Sequence, residues 1–558
     1  MHTVVLTDAN VITEFIDDGG AARAVTHPAV AITDGFVSAV GDDALGMVGA
    51  AGTETRSLAG ATILPGIGDG HAHPVFAGAE TLGPRIRDCT SVDQIAQRVA
   101  QFALDHPELD WIVGGSYDST LTADGLFDAR WLDHVDRPVV LNCQDYHTYW
   151  VNSAALKAAE IDSSTAEPPL GRIVRRGDGS PLGTLQEYGA IDLMKAAMPA
   201  RSTEFLVDCI DWATAEYSRL GVTWAQDAWV EPSDVDGYLS AARQNRIHVR
   251  VNLALKAEPG SWRAQLDGFT RDKARVDTLA HPRLTCHSIK FFVDGVVENY
   301  TADMLEPYSD VTNDDRGIAN WSHDELLAAA TRVDALGFQL HLHAIGDAAV
   351  RRALDVIEQV TALNGERDRR PVIAHVHVLN PVDTPRFAEL GVIANFEPYW
   401  AQLDDVMVEQ TAPRLGPERT QQQYRIADLI ASGAAVSMGS DWPVTTADWR
   451  PAVQVAVSRQ TEEGIPEGGW IPSQRISVES ALNAYTSGSA YQSLSDSRGR
   501  LVIGSAADFL VLEGNPLTTA PHMLPSIRVQ ETWIDGQIVW RDEEYDTTQR
   551  DLAHTVLD

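Results

Sequence analysis

Between residues 221 and 438 the sequence alternates short apolar runs with amphipathic segments of helical length, and this regularity constrains the fold more than any other feature. Each run has the length of a strand and is followed by a helical pattern, which is the pace of β/α units. With the strand that precedes His71, the later runs (222–226, 248–255, 288–293, 338–343, 372–377, 392–396 and 435–438) make eight strands. Eight parallel strands, each followed by a helix, are best closed as a (β/α)8 TIM barrel of the α/β class.

The two ends of the chain have a different sequence pattern, in which short β-type runs are separated by turns such as Asp34-Gly35 and Asp535-Gly536. Residues 1–64 alone are too few to bury the hydrophobic core of an independently stable domain. We therefore expect residues 1–64 and 495–558 to form one composite β-sandwich beside a barrel domain of residues 65–494. Residues 75–202 mix strand-like runs, helices and Gly/Pro-rich turns, and we interpret them as an insertion or cap after the first barrel strand.

Side chains that bind metals or move protons stand at the ends of the predicted barrel strands. They are His71 and His73 after the first strand, Lys290 in the fourth, His343 at the end of the fifth, His375 in the sixth and Asp441 just after the eighth. The carboxyl ends of barrel strands meet at one mouth. Neutral imidazoles, an anionic bridge and a carboxylate are what a hydrolytic metal site needs.

Several of these residues also have plainer interpretations. A His-x-His pair also occurs on protein surfaces, and Lys290 could be an interior lysine paired with a carboxylate such as Asp294. His341 and His377 lie on the same strand faces as two of the candidate ligands. Each is therefore either a neighbour of the ligands or a satisfied core histidine.

Substrate contacts are predicted around the same mouth. His147, within the insertion, is a candidate for orienting the substrate, although a loop histidine is more often structural or solvated. Four aromatic residues follow barrel strands, namely Trp229, Tyr399, Trp400 and Trp442. They predict an aromatic-walled pocket for an apolar or aryl compound, unless some of them merely pack under loops.

Seven short motifs occur in a fixed order along nearly the whole chain. They are Gly70-His71-Ala72-His73-Pro74, Asn152-Ser153-Ala154-Ala155-Leu156, Lys290-Phe291-Phe292-Val293-Asp294-Gly295, His343-Ala344-Ile345-Gly346-Asp347, Ile373-Ala374-His375, Gly439-Ser440-Asp441-Trp442-Pro443-Val444 and Ala506-Ala507-Asp508-Phe509-Leu510-Val511-Leu512. In this order they make the sequence closely resemble the amidohydrolase superfamily, and within it amidohydrolase family 3, the N-substituted formamide deformylase-like proteins.

The resemblance implies a divalent metal centre of one or two ions, with zinc as the expected metal. The ligand set that it implies is His71, His73 and Asp441 for one ion, His343 and His375 for the second, and Lys290, carboxylated by CO₂ to a carbamate, as the bridge. The sequence departs from the family pattern at 374–377, where relatives often have Glu-His-Ala-Gln, and at 395–400, in place of a common Gln-Pro-x-His. Both departures fall near the expected substrate, so no relative's substrate is carried over.

We therefore predict a metal-dependent hydrolase that cleaves a C–N bond of an amide-like small molecule, such as an N-substituted amide, formamide or carbamate, through metal-activated water. Asp441 would accept the proton of that water and return it to the leaving nitrogen. The same apparatus also serves deaminases and ester, lactone or carbamate hydrolases. A non-catalytic barrel descendant used for binding or assembly is the alternative from another class, and the retained histidines argue against it.

Composition narrows the expected partners. The 43 basic and 79 acidic side chains give a net charge of −36, which repels phosphate backbones and anionic lipid, so we expect neither a nucleic acid nor a membrane as partner. Four widely spaced cysteines indicate neither a thiolate zinc site nor a disulfide framework. Without an export signal or a bilayer-spanning run, we expect a cytoplasmic enzyme. The oligomeric state is left open, with a homodimer as the candidate assembly.

Overall fold

Eight parallel strands form the centre of the molecule in the computed structural model, which describes residues 2–17 and 21–545. The strands follow one another around the sheet in chain order, so consecutive strands are hydrogen-bonded neighbours. From first to eighth they are Ile67–Ala72, Val222–Val230, Arg250–Lys256, Leu284–Phe292, Gln339–Ala344, Val372–His375, Ile393–Phe396 and Ala435–Met438. The predicted (β/α)8 TIM barrel is confirmed.

The first barrel strand differs in one respect from the sequence prediction, because it contains His71 instead of ending before it. The apolar run that precedes it, Thr62–Pro65, is a strand of the sandwich. Close packing explains why the barrel strand itself is rich in glycine. A Cβ on Gly68 would lie 2.5 Å from the side chain of Ser489, so a larger residue would force the neighbouring segment away.

Polar contacts close the barrel between its first and eighth strands, and we call this contact zone the seam. Gln492 donates from Nε2 to the carbonyl oxygen of Gly70 at 2.6 Å, and its Oε1 accepts from Ser437 Oγ at 2.5 Å. The backbone N–H of Asp441 donates to the carbonyl oxygen of His71 at 2.7 Å. The seam therefore fixes where His71 and Asp441 stand relative to each other.

Helices cover the outside of the barrel. Those that follow the barrel strands are Pro74–Leu82, Thr203–Arg219, Pro232–Arg243, Trp262–Leu279, His323–Ala335, Asp347–Asn364, Thr384–Glu389, Ala412–Thr420, Ile426–Ala431, Trp449–Ser458, Val478–Asn483 and Ser489–Gln492. Ser322 illustrates how a start is fixed, because its hydroxyl accepts from the N–H of Glu325 at 3.3 Å and satisfies a helix N-terminal donor. Within the described parts of the chain, no helix has the length and apolar character needed to cross a membrane.

The segment between the first barrel strand and helix Thr203–Arg219 carries a five-stranded sheet of its own. In sheet order its strands are Arg172–Arg175, Pro181–Gln186, Thr148–Val151, Val139–Cys143 and Ile112–Tyr117, and its helices are Val92–Asp105, Ser153–Ala158 and Glu187–Lys195. One buried cluster contains Ile95 and Trp150, and another contains Leu185 and Ile191. The insertion thus has apolar cores of its own, while its boundaries at 75–202 stay a prediction.

Strands from both ends of the chain form two further sheets. One consists, in order, of Phe36–Val40, Val30–Thr33, Thr3–Thr7 and Thr53–Ser57, and the other of Gln537–Arg541, Val529–Ile534, Phe509–Leu512, Thr62–Pro65, Asn10–Asp17 and Ala22–His27, with the short helix Gly41–Leu45 beside them. Buried side chains from both sheets, such as Val4 and Phe509, share one core. This confirms the composite β-sandwich. The parts of that prediction at residues 1, 18–20 and 546–558 lie outside the described residues.

Candidate active site

His71, His73 and Asp441 form a compact group at the carboxyl ends of the first and eighth barrel strands. Nε2 of His73 lies 2.9 Å from Oδ1 of Asp441, and Nε2 of His71 lies 3.5 Å from the same oxygen. All three residues are buried, and one ligand-type atom of each lies within 4.8 Å of the others. Gly439 permits this approach, because a Cβ there would lie 2.7 Å from the backbone nitrogen of His71.

The Asp441 carboxylate is an anion with an unsatisfied oxygen. Burial on its own would raise the pKa of Asp441, but the neighbouring His73 and the other positive groups of the site hold that pKa below its usual value. Oδ1 nevertheless has no aligned hydrogen-bond donor among the described residues. A buried anionic oxygen without a donor is the kind of group that binds a cation.

Lys290, in the fourth strand, stands beside this group and is completely buried. Its Nζ lies 3.1 Å from Nε2 of His71, and Lys290 makes no ion pair with any described carboxylate. Burial lowers the pKa of Lys290 to about 7. Asp294 instead accepts the N–H groups of Ile345 and Gly346 at 3.0 and 2.8 Å. The alternative pairing of Lys290 with Asp294 is therefore wrong.

His343 and His375, at the ends of the fifth and sixth strands, complete the group of imidazoles. Their ring centroids are 4.5 Å apart, and that of His375 lies 4.6 Å from His71. Nε2 of His343 faces the carbonyl oxygen of Gly295 at 3.1 Å, and Nδ1 of His375 faces Oε2 of Glu397 at 2.9 Å. The opposite nitrogen of each ring is left for a ligand bond. Burial lowers the pKa of both rings, that of His375 to about 3, so both are in the neutral form that binds metals.

The two histidines whose role the sequence left open differ in their contacts. Nε2 of His341 lies 2.8 Å from Nδ1 of His71. His341 therefore orients the His71 ring and leaves Nε2 of His71 facing the site. Nε2 of His377 lies 2.6 Å from Oε1 of Gln423, and its ring stacks on Tyr424. His341 thus supports a candidate ligand, whereas His377 is a satisfied core histidine.

Glu397 belongs to the site although the sequence prediction omitted it. It directly follows the seventh strand and is fully buried, and its Oε1 has no hydrogen-bond partner among the described residues. Burial and the nearby Asp441 raise the pKa of Glu397 well above its usual value. Its position was a usable signal, because the other candidate groups also stand at the carboxyl ends of barrel strands.

His147 reaches the site from the insertion. Its ring centroid lies 5.6 Å from that of His343, its Nδ1 lies 2.9 Å from Oε2 of Glu187, and its Nε2 lies 3.1 Å from the Tyr188 hydroxyl. Burial opposes protonation, but the Glu187 carboxylate more than offsets it and raises the pKa of His147. Thr301 Oγ1 donates to the other Glu187 oxygen at 2.5 Å. The insertion therefore brings a histidine that is paired with a carboxylate to the pocket.

The pocket at this site has an aromatic wall. Besides the histidines and Asp441, its described lining residues are Phe76, Asp145, Tyr146, Tyr188, Trp229, Phe292 and Val444. Trp400 stacks on His375 with 5.4 Å between ring centroids and 2° between ring planes. Trp442 packs instead on two aromatic residues of helix Thr203–Arg219, and Tyr399 is half-buried outside the lining. The structure therefore brings Trp229 to the pocket and Trp400 onto a candidate ligand. It does not bring Tyr399 or Trp442 to the pocket lining.

The chemistry of the donor set fits a divalent metal ion. Neutral imidazoles, an ionised carboxylate with an open oxygen and an amine of lowered pKa lie together in a buried site. Nitrogen-rich donors of this kind suit zinc among the common divalent metals.

Comparison with known proteins agrees with this arrangement. The model of the amidohydrolase family matches residues 54–540. Protein LONG AFTER FAR-RED 3 of Arabidopsis thaliana is 30% identical over 504 residues, which cover 87% of this chain and 84% of the relative. The N-substituted formamide deformylase of Arthrobacter pascens is 25% identical over 556 residues, which cover 96% of this chain and 98% of that protein.

A solved structure shows the same fold. The crystal structure of an uncharacterized metal-dependent hydrolase from Pyrococcus horikoshii OT3 has a TM-score of 0.73 at 22% identity and covers 93% of this chain and 99% of its own. The family match spans the whole barrel and every candidate ligand. The chain therefore belongs to the amidohydrolase family, and its enzyme class is that of a hydrolase.

Proposed function

We propose that this protein hydrolyses a C–N bond in an amide-like small molecule, such as an N-substituted amide, formamide or carbamate. The proposed centre holds one or two divalent ions, and zinc is the metal that we propose. The observation that carries the proposal is the convergence of His71, His73 and Asp441 on one buried carboxylate oxygen, to which no described donor is aligned for a hydrogen bond. The similarity to an N-substituted formamide deformylase supports the amide class of substrate.

The ligand assignment follows the ring nitrogens that face the site. The proposed ligands are Nε2 of His71, Nε2 of His73 and Asp441 for one ion, with Nδ1 of His343 and Nε2 of His375 for a second. Lys290 would bridge them as a carbamate, because an ammonium beside divalent cations is costly and an amine with a pKa of about 7 is readily neutral.

The proposed chemistry uses residues of both the barrel and the insertion. A divalent ion at such a site supplies Lewis acidity and lowers the pKa of water. Asp441, ionised beside His73, accepts the proton of the attacking water and returns it to the leaving nitrogen. His147, held by Glu187 and Tyr188, binds and orients the substrate.

The aromatic wall favours an apolar or aryl group on the substrate. Trp229 lies in the lining and Trp400 covers His375. Tyr399 and Trp442 stay in the proposal as candidate contacts of a longer substrate. A matched panel of aryl and hydrophilic amides tests the idea, and a preference for the hydrophilic members would contradict it.

A reducing compartment fits the cysteines, since all four are buried free thiols. We therefore include a cytoplasmic location in the proposal, with a homodimer as the candidate assembly and small molecules as the partners. Mass measurement of the native protein in solution tests the assembly.

Metal analysis tests the centre directly. The variant with alanine at His71, His73, His343 and His375 should lose bound metal and amide hydrolysis together. A variant with alanine at the exposed His134 and His522 is the matched control and should keep both. Full metal stoichiometry in the quadruple variant would place the site elsewhere, while a metal-loaded enzyme that cleaves esters or deaminates but spares amides would retain the centre and reject the amide class.

Asp441→Asn tests the proton transfer. Asparagine keeps an oxygen for coordination but cannot take up the proton, so turnover should fall by at least the ~10² typical of general acid–base groups. Steady-state turnover and metal content are measured on the same preparation. If the variant retains its metal and turns over at nearly the original rate, Asp441 is not the base.

A further inference from the structure

A second polar cleft lies at the opposite end of the barrel from the candidate active site. Arg250 begins the third strand, and Thr285 and His287 stand early in the fourth, so this cleft is at the amino ends of the strands. The loop at residues 493–498 and turns of the sandwich form its other walls, and the cavity between them measures about 450 Å³. We call it the basal cleft.

Two arginines of the basal cleft have no acidic partner. Arg283 donates from Nη1 only to the backbone carbonyl oxygens of Ile247 and His248, at 3.1 and 3.0 Å. Arg498 donates from Nη2 to Ser493 Oγ at 3.1 Å. Among the described residues neither guanidinium forms an ion pair, although the chain carries 79 acidic side chains. Most of their donors are therefore left for water or a ligand.

The acidic groups of the cleft are already engaged elsewhere. Arg250 pairs with Asp508 at 3.1 Å and with Asp535 at 2.6 Å. Asp496 pairs with Arg370 at 2.9 Å. None of these carboxylates forms an ion pair with either of the other two arginines.

Burial and neighbouring charges both act on the pKa values of Arg283 and Arg498. Burial and the neighbouring Arg250 lower the pKa of Arg498 to about 10, and the same two causes lower the pKa of Arg283. Asp508 and Asp535 oppose this lowering, but neither of them forms an ion pair with Arg283 or Arg498, so an incoming anion would find both guanidiniums without an ion-pair partner.

Hydroxyl groups and apolar edges define the ligand further. Ser495 lines the cleft beside the arginines, as do Ser493 and Thr285, whose hydroxyls already donate to Ala490 O and Asn252 Oδ1. Phe36, with 54% of its surface exposed, and Leu494, with 38%, offer apolar contact at its rim. Two guanidiniums from different segments, with the Ser495 hydroxyl beside them, can serve more oxygens than the two of a carboxylate.

We propose that the basal cleft binds the phosphate group of a small molecule, with Arg283 and Arg498 as its charged contacts and an apolar part of the ligand against Phe36. The site is separate from the catalytic mouth. Ser493 directly follows Gln492, the residue that holds the seam, so an occupied cleft should also stabilise the barrel.

Calorimetric titration of the purified, metal-containing protein tests this with phenyl phosphate, inorganic phosphate and benzoate as probes. Phenyl phosphate should bind and raise the thermal midpoint. The double variant Arg283→Gln/Arg498→Gln should weaken it at least ~10-fold, the loss expected for charge-assisted bonds. Arg528→Gln, at an exposed ion pair of the sandwich, is the control and should bind normally.

Metal centres also bind phosphate, so the experiment includes His71→Ala/His73→Ala. Phenyl phosphate that binds this variant normally but fails on the double arginine variant supports the cleft. Binding that survives loss of both arginines, or absence of binding by every probe, overturns the proposal. Benzoate binding more tightly than phenyl phosphate would overturn the choice of phosphate. Circular dichroism and metal content of the arginine variant check that its fold and its active site are intact.

Discussion

A lysine amine 3.1 Å from an imidazole nitrogen and without an acidic partner is the least ordinary residue of the candidate site. As an ammonium, the buried Lys290 would have no ion-pair partner, and the nearby Asp441 offsets its desolvation only in part. Reaction of the neutral amine with CO₂ would change its charge from positive to negative. That change turns a group repelled by divalent cations into a ligand for them.

Lys290→Ala should therefore reduce both turnover and bound metal, and added acetate or propionate should restore part of the activity by supplying the missing carboxylate. Lys273→Ala, at a lysine paired with Asp277 on a helix surface, is the matched control and should change neither quantity. Unchanged metal content in Lys290→Ala, or no response to carboxylic acids over a wide concentration range, would count against the carbamate.

At this scale the sequence predicted residue types better than contacts. Reading the carboxyl ends of the strands placed His71, Lys290 and Asp441 in one buried group, as the structure has them. It could not reveal that His341 bonds the far nitrogen of His71 or that Glu397 faces His375, because such contacts join side chains of different strands and depend on register.

Among the elements, the barrel strands were predictable because each is apolar, short and followed by a helical pattern. The sheet of the insertion could not be predicted in the same way. This five-stranded sheet combines parallel and antiparallel pairs, and strands such as Arg172–Arg175 place two adjacent buried residues between two arginines over only four positions. So short a pattern does not distinguish a strand from a loop.

Helix Pro232–Arg243 offers a pH test at the scale of an element. Oδ2 of Asp234 accepts the N–H of Glu231 at 2.9 Å at the helix start, and burial raises the pKa of Asp234 from 3.8 to about 6. A raised carboxyl pKa means that the folded state binds the proton more tightly, so stability falls as pH rises from about 4 to 6. Asp234→Asn keeps the acceptor but does not ionise.

The variant should therefore gain stability relative to the original protein across that interval, by an amount of the order of 2 kcal/mol, and hold the gain above pH 7. Urea unfolding at pH 4.5 and pH 7 measures it. Asp267→Asn, at an exposed aspartate of another helix, is the control. The free energy of unfolding of the Asp234 variant is compared with that of the original protein at each pH. If the difference is the same at both pH values, Asp234 is not the group responsible for the pH dependence.

For the whole molecule, the sandwich depends on one buried carboxylate that joins the two ends of the chain. Glu531 is fully buried and accepts from Arg56 at 2.8 and 2.7 Å, from Arg541 at 2.6 Å and from Trp533 Nε1 at 2.9 Å. Arg56 and Glu531 lie 475 positions apart in sequence. The sequence predicted a shared domain from the similar texture of its two ends, but such a pairing leaves no local pattern.

Glu531→Ala should destabilise the sandwich by about 3 kcal/mol, because it removes the buried carboxylate that pairs with the half-buried Arg56. The midpoint of urea unfolding measures the loss. Asp277→Ala breaks an exposed pair with Lys273 and should change the midpoint little. Equal effects of the two variants would mean that the buried network contributes no more than a surface pair.

The seam has a consequence for the order in which the protein is made. Ribosomes release the amino end first, so the strand that holds His71 emerges hundreds of residues before Gln492, whose side chain secures that strand against the eighth. Until then the nascent barrel is an open sheet whose first edge is unpaired. The enzyme therefore acquires its catalytic mouth late in synthesis, and a chain interrupted before residue 492 would carry most of the metal-type histidines without the closure that holds them together.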